Sequence, residues 1–196
     1  MQSEARMSDA QPTDIQPASG AQPFVIGPGE GERLRGPVGG PARILARAET
    51  SGGQFTAIVN EIPPDQGPPE HIHAHEAEMY FVLEGTVRFK AAGRYFDAPA
   101  GAFMFIPRAT AHCFRNVGEG AARLLVMFAP AGMERFFEGL AALPPGEPDA
   151  ATYRAVADSA GMEVVGPPMS RGEGEPMSDE EAMALAVEAQ HATRRR

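Results

Sequence analysis

Residues 69–85 read PEHIHAHEAEMYFVLEG, and this stretch decides the fold of the chain. One residue separates His71 from His73, so both side chains face the same way only if the backbone between them is extended. Glu78 follows five residues after His73, an odd offset that would turn it to the other face of one straight strand. The chain must therefore bend or begin a new strand within residues 74–77. Because imidazole and carboxylate groups are ligands of first-row metals, the pattern indicates a metal site built on β-structure.

Short apolar runs separated by Gly and Pro continue on both sides of this stretch, from Gly53 to Pro130. Regular short strands with such turn signals are typical of an all-β sandwich or barrel. The dipeptides Glu84-Gly85 and Ala92-Gly93 predict hairpin turns between neighbouring strands. The predicted strands are Ile44–Ala48, Phe55–Ile62, Glu78–Leu83, Thr86–Ala91, Arg94–Phe96, Ala102–Ile106, His112–Asn116 and Arg123–Phe128.

The sequence pattern changes on both flanks of this β-region, which is predicted to form one domain over residues 23–130. Residues 1–22 are rich in Ser, Gln, Ala, Asp and Pro, and we expect a disordered N-terminal tail. Beyond the β-region, apolar residues follow helical spacing. Residues 131–196 are therefore predicted to form a helical C-terminal extension, with a linker rich in Gly and Pro near 166–176.

Composition limits the function classes. The 17 basic and 26 acidic residues give a net charge of −9, which argues against a nucleic-acid surface because such a surface needs a basic face. No stretch has the apolar length of a signal peptide or a membrane span. Cys113 is the single cysteine, so an intrachain disulfide framework is excluded. These features predict a cytoplasmic protein that binds neither nucleic acid nor a membrane.

His112 lies in a distant predicted strand, and closure of a barrel can bring it near the ligand residues of the opening stretch. Three neutral nitrogens and one carboxylate oxygen would leave coordination positions open, which is typical of a catalytic or ligand-binding metal site. The set suits one divalent transition metal, Fe, Mn, Ni, Co or Zn, and ligand identity does not choose among them. A single histidine is usually an ordinary surface or core residue, so the evidence is the spacing of the whole set.

The order and spacing of these residues resemble the two sequence motifs of the cupin family. The first motif is matched by Pro68–His73, Glu78 and Gly85, and the second by Gly101, Pro107–Ala109, His112 and Asn116. The resemblance implies a cupin jelly-roll β-barrel whose metal ligands are His71, His73, Glu78 and His112. Two positions depart from the family pattern, because Asp65 and Ala109 stand where cupins usually have glycine.

Side-chain alternation predicts which residues line the pocket and which face outward. Counting by twos from the ligands places Tyr80 and Phe114 in the substrate pocket. Alternate residues such as Phe81 would face outward, and so apolar a face needs cover from the N-terminal segment, a helix or a second subunit. The alternative is that both faces lie between the two sheets of one sandwich.

We expect a homodimer, as cupins commonly pair. We also expect His75 to lie outside the ligand set.

Gly67 to Phe137 most resembles the small single-barrel quercetin 2,3-dioxygenase group of cupins. The resemblance rests on FVLEG at 81–85, FIPR at 105–108 and PAGMERFF at 130–137. It implies a metal-dependent dioxygenase that cleaves a flavonol-like or other phenolic or enolic substrate with dioxygen. Glu78 would then serve both as a metal ligand and as the catalytic base. The expected partners are dioxygen and a small hydrophobic or aromatic substrate.

Two other classes of function remain open at this stage. The first is a non-redox metal-dependent cupin, such as a polyketide cyclase or an isomerase, in which the metal acts only as a Lewis acid. The second is a non-catalytic barrel that binds a small molecule. Four complete ligands argue against a pure binder, and oxygen consumption separates the dioxygenase from the non-redox enzyme.

Overall fold

The computed structural model describes residues 21–174 and 176–193, so nearly all of the tail predicted over residues 1–22 lies outside the described residues. The described part is mainly β-structure, followed by a segment that carries most of the helices. In chain order the elements are β1 (Glu32–Arg35), β2 (Pro41–Ala46), α1 (Ala48–Ser51), β3 (Thr56–Ile62), β4 (Pro69–His73), β5 (Ala77–Glu84), β6 (Thr86–Ala91), β7 (Arg94–Pro99), β8 (Phe103–Ile106), β9 (His112–Asn116), β10 (Ala122–Ala129), α2 (Glu134–Ala141), α3 (Ala150–Ser159), β11 (Met162–Pro168) and α4 (Asp179–Thr193).

The strands form two antiparallel sheets that share one apolar core. The six-stranded sheet has the order β1-β2-β3-β10-β5-β8, and the five-stranded sheet has the order β11-β4-β9-β6-β7. Neighbours within each sheet are often distant in sequence, as where β10 lies between β3 and β5. The predicted all-β fold class with a helical C-terminal extension is confirmed.

Alternating side chains build the core, as the period-2 pattern predicts. Along β5, Tyr80 and Val82 are buried, while Phe81 and Leu83 are each 40% exposed on the outer face. The same alternation in β6 and β10 buries Phe89 and Leu124 completely. Burial of each such large apolar side chain contributes about 1.5–3 kcal/mol to the free energy of unfolding.

The last strand, β11, was not predicted. It pairs with β4 so that Met162 lies opposite His73 and Val164 lies opposite His71. Without β11, the ligand-bearing strand β4 would be the edge of its sheet. The linker predicted near residues 166–176 begins inside β11. The prolines at the end of β11 are tolerated because it is an edge strand, where the backbone N–H that proline lacks is not needed for pairing.

The helices of the extension begin at polar caps. The Asp149 carboxylate accepts a hydrogen bond of 2.7 Å from the Thr152 amide at the start of α3. At the start of α4, Ser178 and Glu181 form the reciprocal capping box that their spacing predicts, with bonds of 2.9 and 3.3 Å. Within the described ranges, none of the helices combines the length and the hydropathy needed to cross a membrane.

Asp65 and Ala109, the two positions that depart from the motif pattern, both have left-handed backbones, with φ of 62° and 58°. A side chain in this region costs about 1–2 kcal/mol, less for a short polar one, and glycine avoids the cost. The Ala109 amide donates a 2.8 Å hydrogen bond to the His73 carbonyl, so this turn is tied to the end of β4. Both departures therefore keep the backbone shape that glycine would favour.

Replacing Ala109 with glycine is expected to raise the free energy of unfolding by about 0.5–1 kcal/mol. The relief of left-handed strain, about 1–2 kcal/mol, exceeds the added entropy of glycine in the unfolded chain, about 0.5–1 kcal/mol. Urea denaturation measures the difference. Ala111, which has no positive φ, is the matched control. Ala111→Gly should destabilise the protein, and an Ala109→Gly protein less stable than the original would contradict this account.

Candidate metal centre

Three imidazoles and one carboxylate converge between the two sheets. Each contributes one nitrogen or oxygen atom, and these atoms lie within 4.8 Å of one another. All four side chains are buried, with exposures between 1% and 4%. The residues are His71, His73, Glu78 and His112. The structure thus brings together the four residues that the sequence singled out as ligands.

The odd spacing between His73 and Glu78 is resolved by a change of sheet. His71 and His73 lie in β4 of the five-stranded sheet, and the chain bends at residues 74–75. Glu78 then lies in β5 of the six-stranded sheet, so its side chain meets the histidines from the opposite side of the core. His112 in β9 is the direct register partner of His71.

Backbone carbonyls orient two of the three imidazoles. The Nδ1 atoms of His71 and His112 donate hydrogen bonds of 2.8 Å to the carbonyls of Pro69 and Thr110. This arrangement selects the tautomer in which Nε2 carries the free lone pair, as is usual for a metal-binding histidine. Each bonded carbonyl is two residues before its histidine, so the local backbone of each strand entry supplies the orienting group.

His73 is the imidazole that most needs a further partner. Both of its ring nitrogens are buried and have no hydrogen-bond partner among residues 21–174 and 176–193, although Nε2 lies 3.1 Å from Oε2 of Glu78. A buried polar atom without a partner costs about 1–3 kcal/mol. The same Glu78 oxygen lies 2.7 Å from Nε2 of His112 and accepts a hydrogen bond from it when this imidazole is protonated, because Nδ1 already donates to Thr110. A cation among these atoms would give Nε2 of His73 a partner, so the donor set fits a metal.

The electrostatics of the cluster favour neutral His71 and ionised Glu78. Burial, reinforced by His112 and His73, lowers the pKa of His71 to about 3. Burial would raise the pKa of Glu78, but His73 and His112 outweigh it and hold that pKa below its ordinary value. Burial would lower the pKa of His112, but the hydrogen bond to Glu78 raises it. Neutral imidazole and ionised carboxylate are the forms that bind metals.

A small apolar space, which we call the metal chamber, adjoins the cluster and has a volume of about 30 Å³. The predicted pocket residues Tyr80 and Phe114 both line it, with ring centroids 5.7 Å apart. Burial and the nearby Glu78 raise the pKa of Tyr80, so its hydroxyl stays protonated. The chamber is therefore walled by aromatic rings on the open side of the ligand set.

Two residues beside the ligands lie outside the site. His75 is exposed at the bend between β4 and β5 and does not belong to the cluster. Cys113 is buried, and burial is the main cause that raises its thiol pKa to about 11. A thiol with so high a pKa is a poor nucleophile, so Cys113 serves as a small core residue.

Sequence reasoning missed several residues that line the metal chamber. Met133, Phe136 and Phe137 come from the start of α2, Tyr153 from α3 and Met162 from β11. Asn60 of β3 also lines it, and its Oδ1 is buried without a partner. The inward face of β3 was readable from alternation, but nothing local indicated that the C-terminal helices close over the barrel.

Comparison with known proteins agrees with this geometry. Residues 58–128 match the family model of a cupin domain. Quercetin 2,3-dioxygenase from Bacillus subtilis (strain 168) is 30% identical over 122 residues, an alignment that covers 62% of this chain and 35% of that protein. Polyketide synthase CurC from Streptomyces cyaneus is 33% identical over 81 residues, covering 41% of this chain and 51% of that protein.

Among solved structures, polyketide cyclase RemF from Streptomyces resistomycificus is similar, with a TM-score of 0.48 and 23% identity over 55% of this chain and 80% of that chain. The chain spans 35% and 51% of the length of the two curated relatives. With the domain match over residues 58–128 and the two antiparallel sheets around the motif residues, this part of the chain is a cupin domain.

Proposed function

We propose that this protein is a metal-dependent dioxygenase that acts on a flavonol-like or other phenolic or enolic substrate. The observation that carries the proposal is the convergence of three imidazoles and one carboxylate within 4.8 Å beside an aromatic chamber. The likeness to a quercetin 2,3-dioxygenase over 62% of the chain supports the choice of reaction. The apolar walls suit a small hydrophobic or aromatic substrate.

His71, His73, Glu78 and His112 would hold one divalent transition metal. Nitrogen and oxygen donors of this kind suit Fe, Mn, Ni, Co or Zn. When bound, such a cation lowers the pKa of a hydroxyl group that contacts it. The carbonyls that orient His71 and His112 keep both imidazoles aimed at the same point.

Glu78 is the group that would accept the proton of the substrate hydroxyl. It is ionised and buried, it lines the chamber, and its Oε2 lies 3.1 Å from His73 and 2.7 Å from His112. A carboxylate within hydrogen-bond reach suffices as a base once the hydroxyl is acidified. The rings of Tyr80 and Phe114 would flank the reacting edge of the substrate and exclude water from it.

Protein loaded with Fe, Mn, Co or Ni is expected to consume oxygen when a flavonol such as quercetin is added. An oxygen electrode measures the uptake, and protein stripped by a chelator is the control, because the carboxylate alone does not acidify the hydroxyl enough. Absence of uptake with every metal across a panel of phenols and 3-hydroxy enones would refute the dioxygenase.

A non-redox cupin such as a polyketide cyclase or an isomerase is the second candidate. The 33% identity to polyketide synthase CurC over 41% of the chain favours it. Such an enzyme would convert its substrate under anaerobic conditions, whereas the dioxygenase would not. A barrel that only binds small molecules would show neither oxygen uptake nor conversion.

A homodimer is the oligomeric state that we propose. Phe81 of β5 lies opposite Phe103 of β8, on the outer face of the six-stranded sheet. Phe81, Phe103 and Phe105 are 40%, 63% and 52% exposed. A contiguous apolar face of this kind is typical of an interaction surface, and a second copy of the chain would cover it.

A further inference from the structure

A second cavity, which we call the outer cavity, meets the metal chamber. It has a volume of about 880 Å³ and lies among four segments of the chain. The segments are residues 35–39, 66–69, 146–154 and 164–168. Pro37 and Tyr153 line both spaces, so they form the junction between them. Much of the outer cavity is therefore built by the C-terminal extension.

The two spaces differ in size and would hold different parts of a ligand. The metal chamber, at about 30 Å³, holds roughly one water-sized group. Sites for organic ligands usually have volumes of about 300–1,000 Å³, and the outer cavity lies within this range. Only the edge of an aromatic substrate can therefore approach the ligand cluster, while its body must lie outside the chamber.

Tyr153 offers a polar group at the junction of these spaces. Its hydroxyl is buried and has no hydrogen-bond partner among the residues that the structure describes, and its ring packs edge-on against Phe136 with centroids 5.6 Å apart. Burial, with a smaller contribution from the charge of Glu78, raises the pKa of Tyr153, so the hydroxyl stays protonated. A buried hydroxyl without a partner costs about 1–3 kcal/mol, and a ligand oxygen would remove that cost.

We infer that the outer cavity binds the body of a planar, hydroxylated aromatic substrate whose chelating edge enters the metal chamber. The Tyr153 hydroxyl donates a hydrogen bond to a substrate oxygen at the junction. The inference rests on the proposed metal-dependent function, and it makes the C-terminal extension part of the substrate site. Tyr153 and the outer cavity would then select for ligands larger than a single ring.

A bulky side chain placed in the outer cavity tests whether the substrate body binds there. Ala150 lines the outer cavity in the first turn of α3, whereas its exposed neighbour Ala151 does not, so Ala151→Trp is the matched control for Ala150→Trp. Zinc-loaded protein is titrated without oxygen, and binding is followed by the absorption of two probes. Quercetin has a body beyond its 3-hydroxy enone edge, and maltol has little more than that edge.

Ala150→Trp is expected to weaken quercetin binding at least about tenfold and maltol binding less than about twofold, because the indole occupies only the space of the larger ligand's body. Ala151→Trp should change neither, and all proteins should retain zinc by elemental analysis. Equal quercetin affinity in Ala150→Trp and wild type would overturn the inference alone. Failure of zinc-loaded wild type to bind either probe would instead overturn the proposed function.

Tyr153→Phe tests the hydroxyl without changing the shape of the ring. Loss of one hydrogen bond is expected to weaken quercetin binding about 3- to 10-fold. The melting temperature should not fall, since the variant removes a polar atom that has no partner in the free protein. Tyr95→Phe, whose hydroxyl bonds Glu173 3.0 Å away, is the control with unchanged affinity. Unchanged quercetin affinity in Tyr153→Phe would show that the Tyr153 hydroxyl does not bind the substrate.

Discussion

Replacing His73 with alanine is expected to remove most of the bound metal and to abolish metal-dependent turnover. The substitution deletes one of the three nitrogens that converge with the Glu78 carboxylate. It also deletes the imidazole whose two nitrogens have no hydrogen-bond partner within the described part of the protein. Elemental analysis of purified protein, expressed with the metal in excess, measures the loss directly.

His75→Ala is the matched control, because His75 is only two residues away but exposed and outside the cluster. It should keep the metal content and activity of the original protein. Circular dichroism shows whether the His73→Ala protein remains folded, which separates metal loss from unfolding. Full retention of metal by folded His73→Ala protein would refute the assignment of His73 as a ligand.

Replacing Gly67 with alanine is expected to lower the free energy of unfolding by at least about 3 kcal/mol. A methyl group at Gly67 would lie 1.8 Å from the carbonyl oxygen of Phe114, a backbone atom that cannot rotate away. Backbone hydrogen bonds from Asn116 to Gln66 and from Asp65 to Asn116 hold the two segments together, so they cannot separate cheaply. The melting temperature should fall by roughly 10 °C.

Gly120→Ala is the control for this prediction. No atom of the described residues lies within 4 Å of a methyl group at Gly120, and Gly120 has no positive φ. Its stability should match or slightly exceed that of the original protein, because alanine has less entropy than glycine in the unfolded chain. Equal denaturation midpoints for Gly67→Ala and Gly120→Ala would contradict the prediction. They would show that the backbone at Phe114 moves away from the added methyl group without loss of stability.

The strands and the inward side of each were predictable because both depend on a local period. Residues 86–91 and 112–116 form strands with the predicted bounds, and the burial of Tyr80 beside exposed Phe81 follows the predicted alternation. The amphipathic helix near residues 133–140 was predictable for the same reason, since its apolar positions recur every three or four residues.

The outer part of the site was not predictable in this way. β11 consists of a short apolar run followed by glycine and prolines, which resembles a linker, and its strand state comes from pairing with β4. Tyr153 lies in α3, and no local pattern indicates that it lines the metal chamber. Both outcomes depend on how the C-terminal segment packs against the barrel, a contact between residues distant in sequence.

By itself the sequence indicated the all-β class and the inward side of each strand, because strand alternation acts over a few residues. Its resemblance to the cupin motifs singled out the four residues that we propose as metal ligands. Only the tertiary structure decided that Glu78 meets the histidines from the opposite sheet and that the C-terminal extension supplies Tyr153 and the outer cavity. The physical reason is that these arrangements are fixed by packing and by pairing between distant strands, which no local pattern encodes.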